Sequence, residues 1–116
     1  MMPPSTNSDS GLRIKILPYF LEQTKDRLTE IKVHQQAIYD GSEAFAAMKA
    51  INDVAHKISG TAETLGFNNL GAFARNIEAL WSNRDQGDED IMVLWTSMEY
   101  LISPLINEIT RLLEPK

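Results

Sequence analysis

The chain has 116 residues, of which 43 % are hydrophobic and 23 % charged, with a formal charge of −5 and no cysteine. This length suits a single domain with its own core, the negative charge argues against nucleic-acid binding, and the lack of cysteine excludes disulfides, thiol nucleophiles and cysteine-bound metals. We therefore predict a cytoplasmic protein, because chains without disulfides are typical of reducing compartments. No apolar run reaches the ~20 residues that a membrane span needs, so we expect no membrane association.

The first part of the chain contains a polar start and a helical pattern. The opening MMPPSTNSDS is rich in Pro, Ser and Asn and lacks the basic and apolar regions of a secretory signal, so we predict a flexible tail over residues 1–10 and a single helical domain over residues 11–116. Apolar residues then recur at helical spacing up to Tyr39. Because proline is tolerated in the first turn of a helix and disruptive inside one, we predict a short lead helix followed by a longer helix that begins near Pro18.

Three further helices are predicted, each with its own boundary residues. Gly41 is a predicted helix end and Gly66 another, while Ser42 is a predicted N-cap of the helix between them. The next helix is expected to begin from a cap at Asn68 or Asn69 and to end in the linker SNRDQGDED. The acidic residues that close this linker suit the positive end of the last helix dipole; they are Asp88, Glu89 and Asp90.

The patterns together predict the fold class. No stretch alternates between apolar and polar residues as a half-buried strand would, and no hairpin turn signal is present. Four main helices with short connections favour an all-α, up-down-up-down four-helix bundle with a short N-terminal lead helix.

His56 lies on the second of the four main helices, beside its apolar stripe and not at the centre of that stripe, so we expect it to be partly exposed. Its neighbours one or two turns away are small or polar: Asn52, Ser59, Gly60 and Glu63. An open imidazole can act as a nucleophile, a base or a metal ligand, and the alternative is a solvated side chain without chemistry. Gly60 destabilises a helix interior by roughly 0.5–1 kcal/mol relative to alanine, which suggests that something approaches the backbone closely beside His56.

The residues before and after His56 form a pattern of small, apolar and acidic positions. Its members are Ala55, His56, Gly60, Ala62, Leu65, Gly66, Leu70, Ile77 and Glu78. This pattern resembles the signature of histidine-containing phosphotransfer (HPt) domains, the four-helix carriers of phosphorelays, and the resemblance covers residues from about 14 to 112. It implies that His56 accepts a phosphoryl group from one receiver aspartate and donates it to another. It also implies that Gly60 lets the receiver come close and that Gly66 ends the histidine helix.

The sequence departs from this family at one position near the histidine. The family usually has a lysine three residues after the histidine, and this chain has Ser59 there, whose hydroxyl can donate only one neutral hydrogen bond. We consider two replacements for the missing charge: Lys57, ~100° around the helix from His56, or Arg75, which lies one turn before Glu78. Asn52 and Gly60 complete the predicted surroundings of the phosphoryl group.

The resemblance also implies a receiver-docking patch close to the histidine, on the first helices. The candidates are Leu12, Ile16, Phe20, Phe45 and Glu63. The alternative for the apolar members is that they fill the end of the bundle.

The predicted partners are receiver domains of hybrid histidine kinases and of response regulators. The chain has no Gly-rich phosphate loop, so ATP must be handled elsewhere, and the resemblance implies that the receiver brings the aspartate and Mg²⁺ while the chain itself uses no cofactor. His34 has no second histidine at ligand spacing, and we predict no metal site. A monomer is expected. Two alternatives stay open: a receiver-binding module in which His56 is not phosphorylated, and a dimeric subunit resembling kinase dimerisation domains.

Overall fold

The computed structural model describes residues 4–41, 43–84 and 90–114, and these residues form four helices and no strand. The helices are α1 (Pro4–Tyr39), α2 (Ala44–Thr64), α3 (Asn68–Ser82) and α4 (Ile91–Leu113). Consecutive helices pack against each other, and α1 also contacts α4, which closes the bundle. The predicted all-α four-helix bundle is confirmed. Over the described ranges, no helix is both long and apolar enough to cross a membrane.

The first helix is longer than the sequence pattern predicts. The predicted lead helix forms the first part of α1, which begins at Pro4 and continues through Pro18 without a break. Pro18 is exposed, and the next turn is fixed by packing, because Phe20 is buried and stacks on Phe67 with ring centroids 4.8 Å apart. Tertiary packing thus outweighs the local preference of proline. The flexibility predicted for residues 1–10 stays a prediction, and residues 1–3 lie outside the described part.

Two glycines end helices as predicted. Gly41 follows α1 with a φ of 87°, and Gly66 follows α2 with a φ of 84°, a left-handed conformation that glycine adopts without strain. At the end of α2 the Gly66 N–H donates to the Glu63 carbonyl, and the Phe67 N–H donates to the Ala62 carbonyl at 2.8 Å. This pair of bonds is a Schellman motif, and it turns the chain directly into α3.

The start of α3 differs from the prediction of an asparagine cap. The N-cap is Phe67 and makes no side-chain cap bond, while Asn68 and Asn69 already lie in the first turn. Phe67 takes this place because the same residue completes the Schellman turn and packs on α1, which leaves no spacer for a separate cap. The N-cap of α4 is Asp90, whose side chain accepts from the Met92 N–H at 2.8 Å.

Ser42, the predicted N-cap of α2, lies outside the described residues, and the N-cap of this helix is Glu43, which makes no side-chain cap bond. Asp88 and Glu89, predicted to suit the dipole of the last helix, also lie outside the described residues.

The buried stripe of α2 sets the direction of its exposed face. Ala55 and Ile58 are 0 % and 3 % exposed and pack in the core with residues of the other helices. His56 follows Ala55 directly and is therefore rotated ~100° from it around the helix axis. His56 therefore points away from the core, beside the surface where α3 packs on α2.

Candidate functional site

His56 projects from the middle of α2 into solvent. Its side chain is 77 % exposed, and its Nδ1 lies 3.0 Å from Oε2 of Glu78 on α3. The expected partial exposure is confirmed. One ring nitrogen is thus held by the protein, and the rest of the ring is open.

The contact with Glu78 determines which ring nitrogen carries the hydrogen. An ionised carboxylate has no proton to give, so Nδ1 must carry the hydrogen and donate it to Glu78. In the neutral ring the other nitrogen, Nε2, then holds the lone pair. Since the ring is exposed, Nε2 is accessible to an electrophile from outside.

Glu78 uses both carboxylate oxygens at this site. Oε2 accepts from His56, and Oε1 accepts a short hydrogen bond from the Ser59 hydroxyl. Burial by itself would raise the pKa of Glu78, but the hydrogen bonds from Ser59 and His56, together with the charges of His56 and Arg75, outweigh burial and lower this pKa. The carboxyl group is therefore ionised at neutral pH.

Acid is expected to weaken the fold through Glu78. Its pKa is lowered from the ordinary value of 4.5, so its ionised form stabilises the folded state above that pH, and this contribution is lost as the pH falls through the lower folded-state pKa. We expect the Glu78→Gln variant, which cannot titrate, to lose less free energy of unfolding than the wild type between about pH 5 and about pH 3. Urea unfolding at stepped pH measures this difference, and parallel pH curves for both proteins would contradict it.

Ser59 faces inward and not toward solvent. The residue is only 6 % exposed, and its hydroxyl lies within hydrogen-bond distance of Glu78 Oε1 and of the His56 carbonyl, the latter at 3.0 Å. The sequence had suggested a hydroxyl that could donate to a phosphoryl group in the place of lysine. In the structure that hydroxyl serves the carboxylate behind the imidazole.

Gly60 lies one turn after His56 on the exposed side of α2. A Cβ atom added at this position would meet no atom within 4 Å, and the backbone has an ordinary helical φ. Nothing within the described chain therefore requires glycine at this position. The backbone at Gly60 is therefore open to a molecule that approaches from outside.

The two cations near the site, Arg75 and Lys57, differ in whether they form an ion pair. The Arg75 guanidinium binds the Glu63 carboxylate through two nitrogens, with Nη2 2.6 Å from Oε2. Lys57 is exposed and takes part in no ion pair within the described residues. Of the two residues predicted to replace the charge of the missing lysine, Arg75 is paired with Glu63. The charged group of Lys57 makes no ion pair with the described residues.

Two further predicted site residues have different surroundings. Asn52, one turn before His56, is half-buried, and its Oδ1 atom is buried without a hydrogen-bond partner. Glu63, predicted to contact a receiver, is engaged with Arg75. Its side chain also packs over Gly71 of α3, where a Cβ atom would lie 3.0 Å from Glu63 Cγ.

A shallow groove of about 310 Å³ runs between α1 and α2 beside Gly60. Ile16 and Tyr19 form its α1 side and are 41 % and 74 % exposed. The predicted docking residue Ile16 is therefore accessible next to the histidine helix. Tyr19 was missed by the sequence analysis, although it follows Ile16 by three residues and so falls on the same helix face.

The other predicted docking residues differ from Ile16 in their surroundings. Phe20 is 4 % exposed and lines the groove from the core, so it fills the bundle below the groove, as the alternative expected, and its part in docking stays a prediction. Phe45 is exposed but precedes His56 by eleven residues, ~16 Å along the helix axis, and its ring packs on Trp81 with centroids 5.1 Å apart. It is therefore not part of the groove. The side chain of Leu12 lies outside the described part of the structure.

Comparison with known proteins gives one match. The family model described as Hpt domain matches residues 15–114, a range that includes the histidine, the carboxylate partner and the groove residues. No curated protein and no solved structure matches the chain.

Proposed function

Because the chain belongs to the Hpt domain family, whose members act in histidine phosphotransfer, we propose that it carries a phosphoryl group on His56 between receiver-domain aspartates of a phosphorelay. The single observation that supports this function best is the bond from His56 Nδ1 to Glu78 at 3.0 Å. This bond leaves Nε2 as an exposed nucleophile on a 77 % exposed side chain. We further propose that the protein works as a cytoplasmic monomer.

The proposed reaction is a direct displacement at phosphorus. The Nε2 lone pair of His56 attacks the phosphorus of an aspartyl phosphate, the P–N bond forms, the P–O bond breaks, and the aspartate leaves as a carboxylate. The ring keeps its Nδ1 hydrogen and becomes positively charged. Glu78 supports this charge through the same hydrogen bond. The reverse sequence passes the group to a second receiver.

The receiver and this chain supply different parts of the proposed reaction. Transfer depends on placing the reacting atoms in line and on neutralising charge. Within this proposal the receiver supplies the aspartate and its Mg²⁺. The chain supplies Nε2 of His56, a clear approach over Gly60 and the groove lined by Ile16 and Tyr19.

Phosphorylation of matched histidine variants tests this function. Purified protein is mixed with a panel of radiolabelled, phosphorylated receiver domains from its source organism, using wild type, His56→Gln and His34→Gln. His34, the other histidine of the chain, lies on α1 and serves as the control. We expect rapid, acid-labile labelling of wild type and His34→Gln and none of His56→Gln.

Two outcomes would contradict the proposal. Labelling that persists in His56→Gln would place the phosphoryl group on another residue. Binding of receivers without any labelling of the wild type would instead support the non-catalytic receiver-binding module, an alternative that stays open because Ser59 stands where the family usually has a lysine.

Lys57 and Arg75 are expected to contribute unequally to the charge at the phosphoryl group. Because the Arg75 guanidinium is engaged with Glu63 and the Lys57 ammonium is not, Lys57→Ala should slow transfer about 2- to 5-fold, the factor that corresponds to the ~0.5–1 kcal/mol of an exposed charge interaction. Arg75→Ala should have less effect. Rapid-quench transfer rates and the half-life of the phosphohistidine measure both, and equal values for both variants and the wild type would exclude charge compensation.

A further inference from the structure

Ser59 is a buried hydroxyl beside the proposed phosphoacceptor that the proposed reaction itself does not use. It lies on α2, one turn after His56, and is 6 % exposed. Its Oγ atom contacts Oε1 of Glu78, while His56 Nδ1 contacts Oε2 of the same carboxylate. Three side chains from two helices thus form one chain of hydrogen bonds that ends at the ring.

The hydroxyl proton has two acceptors within reach, and the carboxylate is the stronger. The His56 carbonyl, 3.0 Å from Oγ, is already an acceptor within the α2 helix, where the N–H of residue i+4 donates to it. A hydrogen bond to an ionised oxygen is shorter and about twice as strong as one to a neutral oxygen. The Ser59 proton therefore goes to Glu78.

The bond from Ser59 restrains the carboxylate at its second oxygen. A glutamate side chain has several rotatable bonds, and a single hydrogen bond to an exposed imidazole leaves the carboxylate free to turn. With one donor on each oxygen, its plane and its distance from Nδ1 are both fixed. Both donors come from α2, three residues apart, so the carboxylate from α3 bridges one helical turn.

We propose that Ser59 is a positioning residue for phosphotransfer: its hydroxyl holds the Glu78 carboxylate against Nδ1 of His56 and so keeps Nε2 as the nucleophilic nitrogen. The effect on transfer rests on the proposed function. The effect on the imidazole does not, because it is a property of the unphosphorylated protein.

In this role Ser59 acts on Glu78 and does not replace the positive charge of the usual lysine. A lysine at the same position would bring an ammonium group with three donors and a full charge. Such a group would itself bind Glu78 and compete with the imidazole for the carboxylate. The neutral hydroxyl supports Glu78 without such competition and leaves the charge of Glu78 directed at the ring.

Imidazole NMR and transfer rates on the same variants test this proposal. The variants are Ser59→Ala, Ser59→Thr, which keeps the hydroxyl, and the control Ser103→Ala, which removes an exposed hydroxyl from α4. Nitrogen-15 shifts of the His56 ring at alkaline pH report the fraction with hydrogen on Nδ1. We expect Ser59→Ala to lower this fraction and to slow transfer roughly 3- to 10-fold, the factor that one hydrogen bond corresponds to. Ser59→Thr should restore both, and Ser103→Ala should change neither.

The outcomes separate this proposal from the proposed function. A Ser59→Ala protein with the wild-type tautomer fraction would overturn the positioning role, as would a reduced fraction without any change in transfer rate. If no receiver phosphorylates the wild type, the proposed function fails, and so does the positioning role in transfer. The NMR comparison then still decides whether Ser59 sets the tautomer.

Discussion

Replacing Gly60 by glutamate is expected to slow phosphotransfer by about 100-fold or more while leaving the protein folded. The site has open space around the missing Cβ, with no atom within 4 Å, so the new side chain meets no neighbour and the helix gains intrinsic propensity of up to ~1 kcal/mol. Transfer, however, requires phosphorus within about 3–3.5 Å of the attacking nitrogen, and a misplacement of ~1 Å lowers the rate ~100-fold. A side chain one turn from His56 obstructs that approach.

Two other substitutions at the same residue distinguish size from charge. Gly60→Ala adds one methyl group and should slow transfer less than glutamate does. Gly60→Gln matches glutamate in size and carries no charge, so similar losses for both would identify steric exclusion as the cause. Thermal unfolding verifies that each variant is folded, and single-turnover assays with a phosphorylated receiver give the rates. Wild-type rates in Gly60→Glu would refute the assignment of this surface to docking.

Replacing Glu78 by alanine is the second large expected effect, a loss of transfer rate on the order of 100-fold, similar to that of a misplaced reacting group. Alanine removes the acceptor for Nδ1 at 3.0 Å, so the ring is no longer oriented and either nitrogen can carry the hydrogen. It also removes the negative charge that supports the phosphorylated ring. Glu78→Gln keeps an oxygen that can accept from Nδ1 but loses the charge, and we expect a smaller loss of about 10-fold.

The informative result is which of the two Glu78 variants loses more of the transfer rate. A larger loss in Glu78→Ala than in Glu78→Gln means that the acceptor oxygen contributes, and a loss in Glu78→Gln relative to the wild type means that the charge contributes. A greater loss in the glutamine variant would contradict the role of Glu78 as an acceptor. Glu99→Ala on α4, which removes a carboxylate remote from His56 in the chain, is the matched control. Rapid-quench assays give transfer rates, and the half-life of the phosphohistidine reports how well the charged ring is supported.

The position of the histidine could be predicted from the sequence because a helix has a fixed period. Once Ala55 and Ile58 are assigned to the core, the direction of His56 follows within one helix. Gly41 and Gly66 were predictable for a similarly local reason, since a left-handed residue that ends a helix strongly favours glycine. Both predictions need only the neighbouring residues.

The partners of side chains on different helices could not be obtained in this way. Arg75 was a candidate for the phosphoryl charge, and it binds Glu63 instead. Ser59 was a candidate donor to the phosphoryl group, and it binds Glu78. Which of two carboxylates a side chain meets depends on the relative rotation and height of α2 and α3, and periodicity within each helix does not determine either quantity.

The docking surface illustrates a related limit. Phe20 and Tyr19 are adjacent aromatic residues, and the sequence does not decide which of them faces the core. The stacking of Phe20 on Phe67 from the α2–α3 turn buries the first, and Tyr19 is left 74 % exposed. This contact joins residues that are remote in the chain, so only the assembled bundle reveals it.

The Schellman turn at Gly66 makes the chemical site local in the chain. His56 and Glu78 are 22 residues apart, Ser59 and Glu78 are 19 apart, and Glu63 and Arg75 are 12 apart. The entropy lost when such contacts close grows only with the logarithm of loop length, as about (3/2)RT ln n, and contacts of low sequence separation form quickly in folding. Within the described part of the chain, the contacts that orient the imidazole therefore come from the hairpin of α2 and α3. The first helix contributes one side of the groove, with Ile16 and Tyr19, and α2 contributes the other side. The histidine helix therefore takes part both in the contacts of the ring and in the groove beside it.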